Sequence, residues 1–234
     1  MSLLPERAAR ARCERCQRPH SHCLCALIPQ LQSRTRVLIL QHPEESRHAL
    51  NTARLAALGL VNGELQVGEQ FADLASWLAD PAYQACLLFP GDDAQPLATV
   101  AASASKRPLL LVVPDGTWRK ARKLLYLNPL LAALPRACLP AGLESRYRLR
   151  KAPMAGALST LEAIVVALEA LEAPHSFAAL LQPFEALIDG QMRRAVLALL
   201  VGAALTLFGF IHSVDPRGGI YLPWALEGLP RIIM

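Results

Sequence analysis

The chain has 234 residues, 53% of them hydrophobic, and a formal net charge of +5. This length and apolar content exclude an intrinsically disordered chain and are enough for one large domain with a buried core, with or without small appendages. The modest basic excess suits a polyanionic partner such as nucleic acid, but it fits an ordinary basic protein equally well.

The N-terminal segment 1–33 is polar and rich in Cys and Arg, and it lacks the apolar region of a secretory signal, so we expect a cytoplasmic protein. Four cysteines lie close together in it: Cys13, Cys16, Cys23 and Cys25. In a reducing compartment such a cluster indicates a metal more than disulfides, and four thiolates can close a structural Zn²⁺ site. A redox pair or incidental cysteines are the alternatives, and His20 and His22 could replace a weak ligand.

Short apolar runs alternate with segments of helical pattern after this head. Strands are predicted at 36–40, 85–91 and 108–116, and helices at 46–60, 71–80, 118–127, 158–171 and 183–194. Ser159 and Glu162 form a capping-box pattern at the start of the fourth helix. The alternation predicts an α/β fold, with a mainly parallel sheet and flanking helices.

Two turns follow apolar strands, and ligands of parallel sheets bind beyond the carboxyl ends of the strands. The turns are Phe89-Pro90-Gly91 and the segment 114–118, which holds Asp115 beside Gly116. An acid in this position is well placed for proton chemistry or for anchoring a ligand, and the glycine lets a ligand approach the backbone. Thr117 is the expected N-cap of the next helix.

The helix after this turn is predicted to have an apolar and a cationic side. We expect Trp118 to pack inward together with Ala121 and Leu125. The cations that spread over the rest of the helix are Arg119, Lys120, Arg122 and Lys123. A second basic segment, 145–153, is a weaker, partly polar strand candidate. Its alternating arginines would share one strand face, interleaved with Tyr147; its cations are Arg146, Arg148, Arg150 and Lys151. This basic, aromatic-bearing strand could contact RNA or could be an ordinary exposed strand, whereas the cations of the helix could simply form a solvated face.

Polar residues also follow the first strand. Arg47, Asn51 and Arg54 recur at i, i+4 and i+7, which predicts one shared helical face. That face could line a phosphate or carboxylate site, or it could face solvent.

The C-terminal segment differs from the rest of the chain, because residues 195–211 carry no charge. Three interpretations compete: a membrane anchor formed by 195–214 that leaves the main domain on the cytoplasmic side, a buried C-terminal helix with a strand, or a shifted reading frame. The predicted organisation is therefore a Cys-rich head over 1–33, a catalytic domain over 34–194 and an atypical tail over 195–234. Walker A, G-x-G-x-x-G and G-x-S-x-G motifs are absent, which disfavours NTPases, dinucleotide enzymes and α/β-hydrolases.

Taken in order, five elements resemble the DTW-domain family, the tRNA-uridine aminocarboxypropyltransferases. They are "CERCQRPHSHCLC", "LQHPEESRHALNTARL", "LLFPG", "DGTWRKARKL" and "YRLRKAP" followed by "LSTLEA". The name motif of the family appears as Asp115-Gly116-Thr117-Trp118. The resemblance runs from the Cys cluster to about Arg194, and the apolar tail matches nothing obvious in the family.

The resemblance implies a fold related to the SPOUT RNA-modifying enzymes, whose S-adenosylmethionine site is built from loops near a knotted C-terminal region. It also implies a reaction in which the 3-amino-3-carboxypropyl group of S-adenosylmethionine moves to N3 of a uridine in tRNA. The products would be acp3U and 5′-methylthioadenosine. A SPOUT-like RNA methyltransferase and a non-catalytic, zinc-dependent RNA-binding module are the alternatives, and no protein partner is implied.

The implied reaction suggests roles for individual residues. Asp115 is the first candidate for the general base, and it might instead hold the amine of the donor. Arg54 or Arg47 could hold the donor carboxylate. The expected cofactor-binding residues are Phe89, Pro90, Gly91, Pro114, Gly116, Thr117 and Arg54. The expected RNA-binding residues are Arg47, Arg119, Lys120, Arg122, Lys123, Arg148, Arg150 and Lys151.

Overall fold

The computed structural model describes residues 11–48, 51–103, 107–140, 142–143, 145 and 158–212, and six strands among them form one parallel sheet. The strands are β1 (Arg36–Gln41), β2 (Gly63–Val67), β3 (Gln84–Leu88), β4 (Gln95–Pro96), β5 (Leu109–Asp115) and β6 (Arg136–Cys138). Their order is β2-β1-β5-β3-β6-β4, and the neighbouring strands pair in parallel. The predicted α/β fold with a parallel sheet is confirmed.

The central strands are apolar throughout because the sheet is covered on both faces. In β1, Val37 and Ile39 point to one core cluster, whereas Leu38 and Leu40 point to the other. All four side chains are at most 1% exposed. Burial on both faces removes the polar–apolar alternation of a half-exposed strand, which explains why these strands read as continuous apolar runs.

Seven helices lie in the described part of the chain. They are α1 (Ala53–Gly59), α2 (Leu74–Leu78), α3 (Leu97–Ser103), α4 (Trp118–Leu127), α5 (Pro129–Ala132), α6 (Thr160–Leu171) and α7 (Gln182–His212). Buried side chains of α1, α3, α6 and the start of α7 share one core cluster, as does Cys16 of the head. Side chains of α2, α4 and α5 share the other. The fold therefore has three layers, with the sheet between two layers of helices.

The starts of α4 and α6 agree with their predicted caps. The Thr117 hydroxyl accepts a hydrogen bond from Lys120 N at 3.4 Å. At α6, Ser159 and Glu162 form the complete capping box: the Ser159 hydroxyl accepts from Glu162 N, and the Glu162 carboxylate accepts from Ser159 N. These bonds satisfy backbone N–H groups that have no partner inside the helix, and thereby fix where each helix begins.

Two predicted helices are shorter than expected. The helix predicted over 46–60 begins only at Ala53, and the one predicted over 71–80 spans Leu74–Leu78. Before α1, the Asn51 side chain donates to the backbone carbonyls of Glu45 and Ser46. Such side-chain bonds to the backbone compete with helical hydrogen bonds and favour a turn.

One predicted strand and part of the chain path lie outside the described residues. The strand candidate 145–153 falls there except for Ser145, and so does the chain path through 146–157. The knot implied by the family resemblance, together with the division into head, catalytic domain and tail, stays a prediction.

The chain divides into two compact units, Met1–Ile188 and Asp189–Met234. In the second unit the apolar tail is helical as far as His212. Its exposed apolar side chains are Val196, Leu197, Leu199, Leu200, Val201 and Leu205, each at least half exposed. Which of the three interpretations of the tail holds stays a prediction. Within the described ranges, no helix is long and apolar enough to span a membrane.

Candidate active site and metal centre

The carboxyl ends of β1 and β5 form the point where the strand order reverses. From β1 the chain proceeds to β2 at one edge of the sheet, whereas from β5 it proceeds to β6 on the other side. Gln41 and Asp115, the last residues of these two strands, are register partners. Crossovers that leave two neighbouring strands in opposite directions open a crevice between them, which is where α/β proteins bind ligands.

The Asp115 carboxylate lies in this crevice and is held from two sides. Gln41 Nε2 donates to Asp115 Oδ2 at 2.7 Å, and the Thr160 hydroxyl donates to Oδ1. Asp115 is 9% exposed, so these bonds fix its orientation in a largely dry environment.

The chain of hydrogen bonds continues from Gln41 to the start of α1. The side-chain amides of Gln41 and Asn51 bond each other in both directions at 3.2 Å, and Asn51 Oδ1 also accepts from Arg54 N at 3.3 Å. Arg54 Nε is buried and has no hydrogen-bond partner among the described residues. A buried guanidinium N–H without a partner is suited to an anionic ligand group such as a carboxylate.

Arg47 does not share this environment. It lies in the turn before α1 and is exposed, so the predicted common helical face of Arg47, Asn51 and Arg54 is wrong. The physical reason is the turn that the Asn51 side chain stabilises, because the i, i+4, i+7 spacing has meaning only within one continuous helix.

The two turns predicted at the site are in contact. The ring of Phe89 meets the ring of Trp118 edge to face, with 5.7 Å between the ring centroids. Pro90 and Gly91 are exposed beside Phe89, and Pro114 and Gly116 are half-buried. A Cβ atom on Gly116 would lie 2.9 Å from Lys120 Cβ, so this position requires glycine for the close approach of α4.

Trp118 differs from its prediction. Ala121 and Leu125 are buried as expected, but Trp118 is 39% exposed. Because it is the first residue of α4, it lies just beyond the carboxyl end of β5, where its ring packs on Phe89 in the turn after β3 instead of entering the core.

The four cations of α4 divide into two pairs. Lys120 Nζ lies 3.0 Å from Glu44 Oε2 and 2.7 Å from Glu45 Oε1, and these hydrogen bonds raise its pKa. Lys123 Nζ lies 2.8 Å from Glu69 Oε1. Arg119 and Arg122 are exposed. The lysines thus tie α4 to loops beside the site, while the arginines face outward; an RNA contact by any of the four stays a prediction.

His42 also contacts the loops beside the site. Its Nδ1 accepts from Glu44 N at 3.3 Å, and its Nε2 lies 2.9 Å from Glu69 Oε1, which assigns the hydrogen to Nε2. Its backbone N–H donates to Asp115 O at 3.0 Å. The hydrogen bond from Lys123, aided by the charge of that lysine, lowers the pKa of Glu69. His42 therefore fixes the backbone on which Asp115 sits.

The four cysteines of the head converge as predicted. The Sγ atoms of Cys13 and Cys25 are 3.5 Å apart, those of Cys16 and Cys23 are 3.7 Å apart, and all four lie within 4.8 Å of one another. Four sulfurs at about 2.3 Å from a tetrahedral zinc would be separated by about 3.8 Å. The cluster therefore fits a zinc ion, and neither His20 nor His22 belongs to it.

The surroundings of the cluster change the pKa values of two of its thiols in opposite directions. Backbone N–H groups of Cys16 and Arg15 lower the pKa of Cys13 to about 6, whereas burial raises the pKa of Cys25 to about 12. Thiolates this close repel each other, so a metal is needed to hold all four in the charged form.

The head is connected to the candidate active site by one hydrogen bond. Arg18 Nη2 donates to the backbone oxygen of Asn51 at 3.2 Å, and the Asn51 side chain is the residue that bonds Gln41.

Three predicted site residues are not described by the structure, and two residues that contact Asp115 were not predicted from the sequence. Arg148, Arg150 and Lys151 lie outside the described residues. Sequence reasoning missed Gln41 and Thr160 as partners of Asp115. The only sequence signal for Gln41 is its polar side chain at the end of an apolar strand, and Thr160 has none beyond following the capping residue.

The fold and site define the class of the protein: an α/β protein with a buried carboxylate where the strand order of its parallel sheet reverses, and with a four-cysteine head that could hold a metal ion. The DTW domain matches residues 10–192 of the chain. The chain belongs to the DTW-domain family.

Curated relatives have one activity in their names. The chain is 37% identical over 194 residues to tRNA-uridine aminocarboxypropyltransferase 2 of Drosophila melanogaster, covering 78% of this chain and 76% of the relative. It is 31% identical over 204 residues to the Macaca fascicularis protein of the same name, covering 81% and 67%. It is 30% identical over 190 residues to tRNA-uridine aminocarboxypropyltransferase A of Arabidopsis thaliana, covering 68% and 72%. No solved structure matches the chain significantly.

Proposed function

We propose that this protein transfers the 3-amino-3-carboxypropyl group of S-adenosylmethionine to N3 of a uridine in tRNA, forming acp3U and releasing 5′-methylthioadenosine. The family and the names of the relatives support this activity. The structural observation that carries the proposal is the position of the Asp115 carboxylate. Asp115 begins the Asp115–Trp118 motif where the strand order of the sheet reverses, and Gln41 and Thr160 donate hydrogen bonds to its carboxylate.

The site offers a complementary group for each part of the donor. Asp115 is an acceptor suited to the α-amino group, and the buried Nε of Arg54 is a donor suited to the carboxylate. The contacting turns with Phe89 and Trp118 provide aromatic surface for the adenosine. S-adenosylmethionine supplies an electrophilic γ-carbon next to a sulfonium, so selectivity for the γ-carbon over the methyl group depends mainly on positioning.

The proton balance requires one base and no acid. The bond from uridine N3 to the γ-carbon forms as the bond from that carbon to sulfur breaks, and the sulfur leaves as a neutral thioether. The N3 proton must pass to a base, because neutral uridine N3 is a poor nucleophile. Asp115 is the carboxylate we propose for this step, and anchoring the donor amine is its alternative role.

Zinc has a structural role in this proposal. Four thiolates fill a tetrahedral site and leave no position for a substrate. The Arg18–Asn51 hydrogen bond would let the metal-bound head support the loop that holds Gln41. The exposed Arg119 and Arg122 are proposed to contact tRNA phosphates, which would make binding weaken with salt. An activity on tRNA agrees with the cytoplasmic location expected from the sequence.

Two radiolabelled donors test the activity. The protein is incubated with tRNA and S-adenosylmethionine labelled either in the carboxyl carbon or in the methyl carbon. We expect carboxyl label in tRNA and methyl label in released methylthioadenosine. Methyl label in tRNA would identify a methyltransferase instead, and no label in tRNA from either donor would favour a non-catalytic RNA-binding module. Asp115→Asn, which keeps the shape of the side chain, is expected to abolish the transfer.

A further inference from the structure

The outer face of α4 carries an aromatic and cationic stripe, formed by Trp118, Arg122 and Tyr126. Side chains four residues apart lie one above another on a helix, with a rise of about 6 Å between them. All three are exposed, and Tyr126 is 84% exposed. The buried side of α4, formed by Ala121, Leu124 and Leu125, borders this stripe, and the three exposed side chains are not among the buried residues of the helix.

Tyr126 has no structural role that explains its ring. No hydrogen bond or ring contact of Tyr126 occurs among the residues that the structure describes. Large exposed apolar groups that lie next to polar ones mark interaction surfaces more often than isolated apolar side chains do. Folding alone does not require an aromatic residue at position 126.

The charge of the stripe favours a polyanion. Lys120 and Lys123 are neutralised by Glu44, Glu45 and Glu69, whereas Arg122 forms no ion pair within the described part of the chain. A guanidinium can stack on a base and can also bond a phosphate. The stripe thus combines two aromatic rings with a cation that is available for a partner.

The stripe begins at the candidate active site. Trp118 is three residues after Asp115 and contacts Phe89 of the neighbouring turn. From there the stripe extends along α4 for about 12 Å, the rise of eight helical residues. A strand whose target base occupies the site would therefore have its neighbouring nucleotides within reach of Arg122 and Tyr126.

We propose that this stripe binds unpaired nucleotides that flank the target uridine, with Tyr126 stacking on a base. This inference rests on the proposed function for the identity of the RNA. Aromatic and guanidinium planes recognise unstacked bases of single-stranded loops, whereas bases inside a duplex are already stacked and cannot be reached. The occupant is therefore a loop of the tRNA, and its paired stems are excluded.

Binding of tRNA without the donor tests this role separately from catalysis. Tyr126→Ala is expected to weaken binding at least about fivefold, since stacking on one base has that effect or a larger one. Tyr126→Phe keeps the ring and is expected to bind like the wild type. Arg34→Ala is the matched control, because Arg34 is an exposed cation that precedes β1, at the opposite end of the sheet. It should bind tRNA nearly as well as the wild type.

The proposed binding role of the stripe would be overturned if Tyr126→Ala bound tRNA with wild-type affinity. It would also be overturned if Tyr126→Phe and Tyr126→Ala weakened binding equally. A fully base-paired RNA should compete poorly, and preferred binding of that duplex would also contradict a stacking role. Melting temperatures confirm that each variant is folded. If the wild type binds tRNA through Tyr126 yet forms no acp3U, the proposed reaction fails while the binding surface stands.

Discussion

Replacing Thr160 by Val tests whether Asp115 must be held in one orientation. The Thr160 hydroxyl donates to Asp115 Oδ1, and valine keeps the shape of the side chain while removing this donor. A hydrogen bond to a charged group contributes about 1.5–3 kcal/mol, and about 1.4 kcal/mol corresponds to a factor of ten in rate. We expect kcat/KM for tRNA modification to fall about ten- to a hundredfold.

The fold should tolerate this change. Thr160 is partly exposed, and the adjacent capping box of Ser159 and Glu162 remains intact. Thr160→Ser keeps the hydroxyl and is expected to retain most of the activity. Initial rates of acp3U formation measured against S-adenosylmethionine separate two roles: a raised KM indicates that Asp115 anchors the donor, and a lowered kcat indicates that it acts on the proton. Unchanged kinetics of Thr160→Val, or a loss that parallels a lower melting temperature, would refute the reasoning.

Three other predictions concern stability. Cys16→Ser should lose zinc, measured by elemental analysis, and lower the melting temperature because Cys16 also packs against the core; full zinc content would contradict the four-thiolate site. Gly116→Ala should lower the free energy of unfolding by about 1–3 kcal/mol in denaturant titrations, since its Cβ would lie 2.9 Å from Lys120 Cβ; unchanged stability would show that α4 can shift. Lys123→Met should reduce the acid sensitivity of the melting temperature. The pKa of Glu69 is lowered in the fold, so its contribution is present above about pH 4.3, its unfolded value, and is lost as pH falls through the folded value. An identical pH dependence in both proteins would argue against this ion pair.

The three central strands β1, β5 and β3 were predictable because they are buried and apolar, whereas β2 was missed. Runs such as Leu109–Val113 are short, apolar and followed by Pro114, which indicates a buried strand, and the caps at Thr117 and Ser159 fix two helix starts. The start of α1 was not predictable, because Asn51 bonds backbone carbonyls and replaces helical turns. The short strands β4 and β6 carry too few residues for a periodic signal.

The candidate site was predictable only in part. Asp115 was identified because an acid follows an apolar strand directly, and the Cys cluster because its ligands are close in sequence. Gln41 and Thr160 could not be identified as the hydrogen-bond partners of Asp115, because they lie 74 and 45 residues from it along the chain. Trp118 was assigned to the core because helical periodicity does not reveal that the first turn of α4 lies just beyond the carboxyl end of β5, where the ring stays partly exposed.

Nucleoside mass spectrometry tests the central claim most directly. Unmodified tRNA is incubated with the protein and S-adenosylmethionine, digested to nucleosides and compared with the same reaction of Asp115→Asn. The proposed function predicts a uridine carrying an added aminocarboxypropyl group with the wild type and none with the variant. A methylated nucleoside, or tRNA left unchanged by folded, zinc-loaded protein, would contradict it.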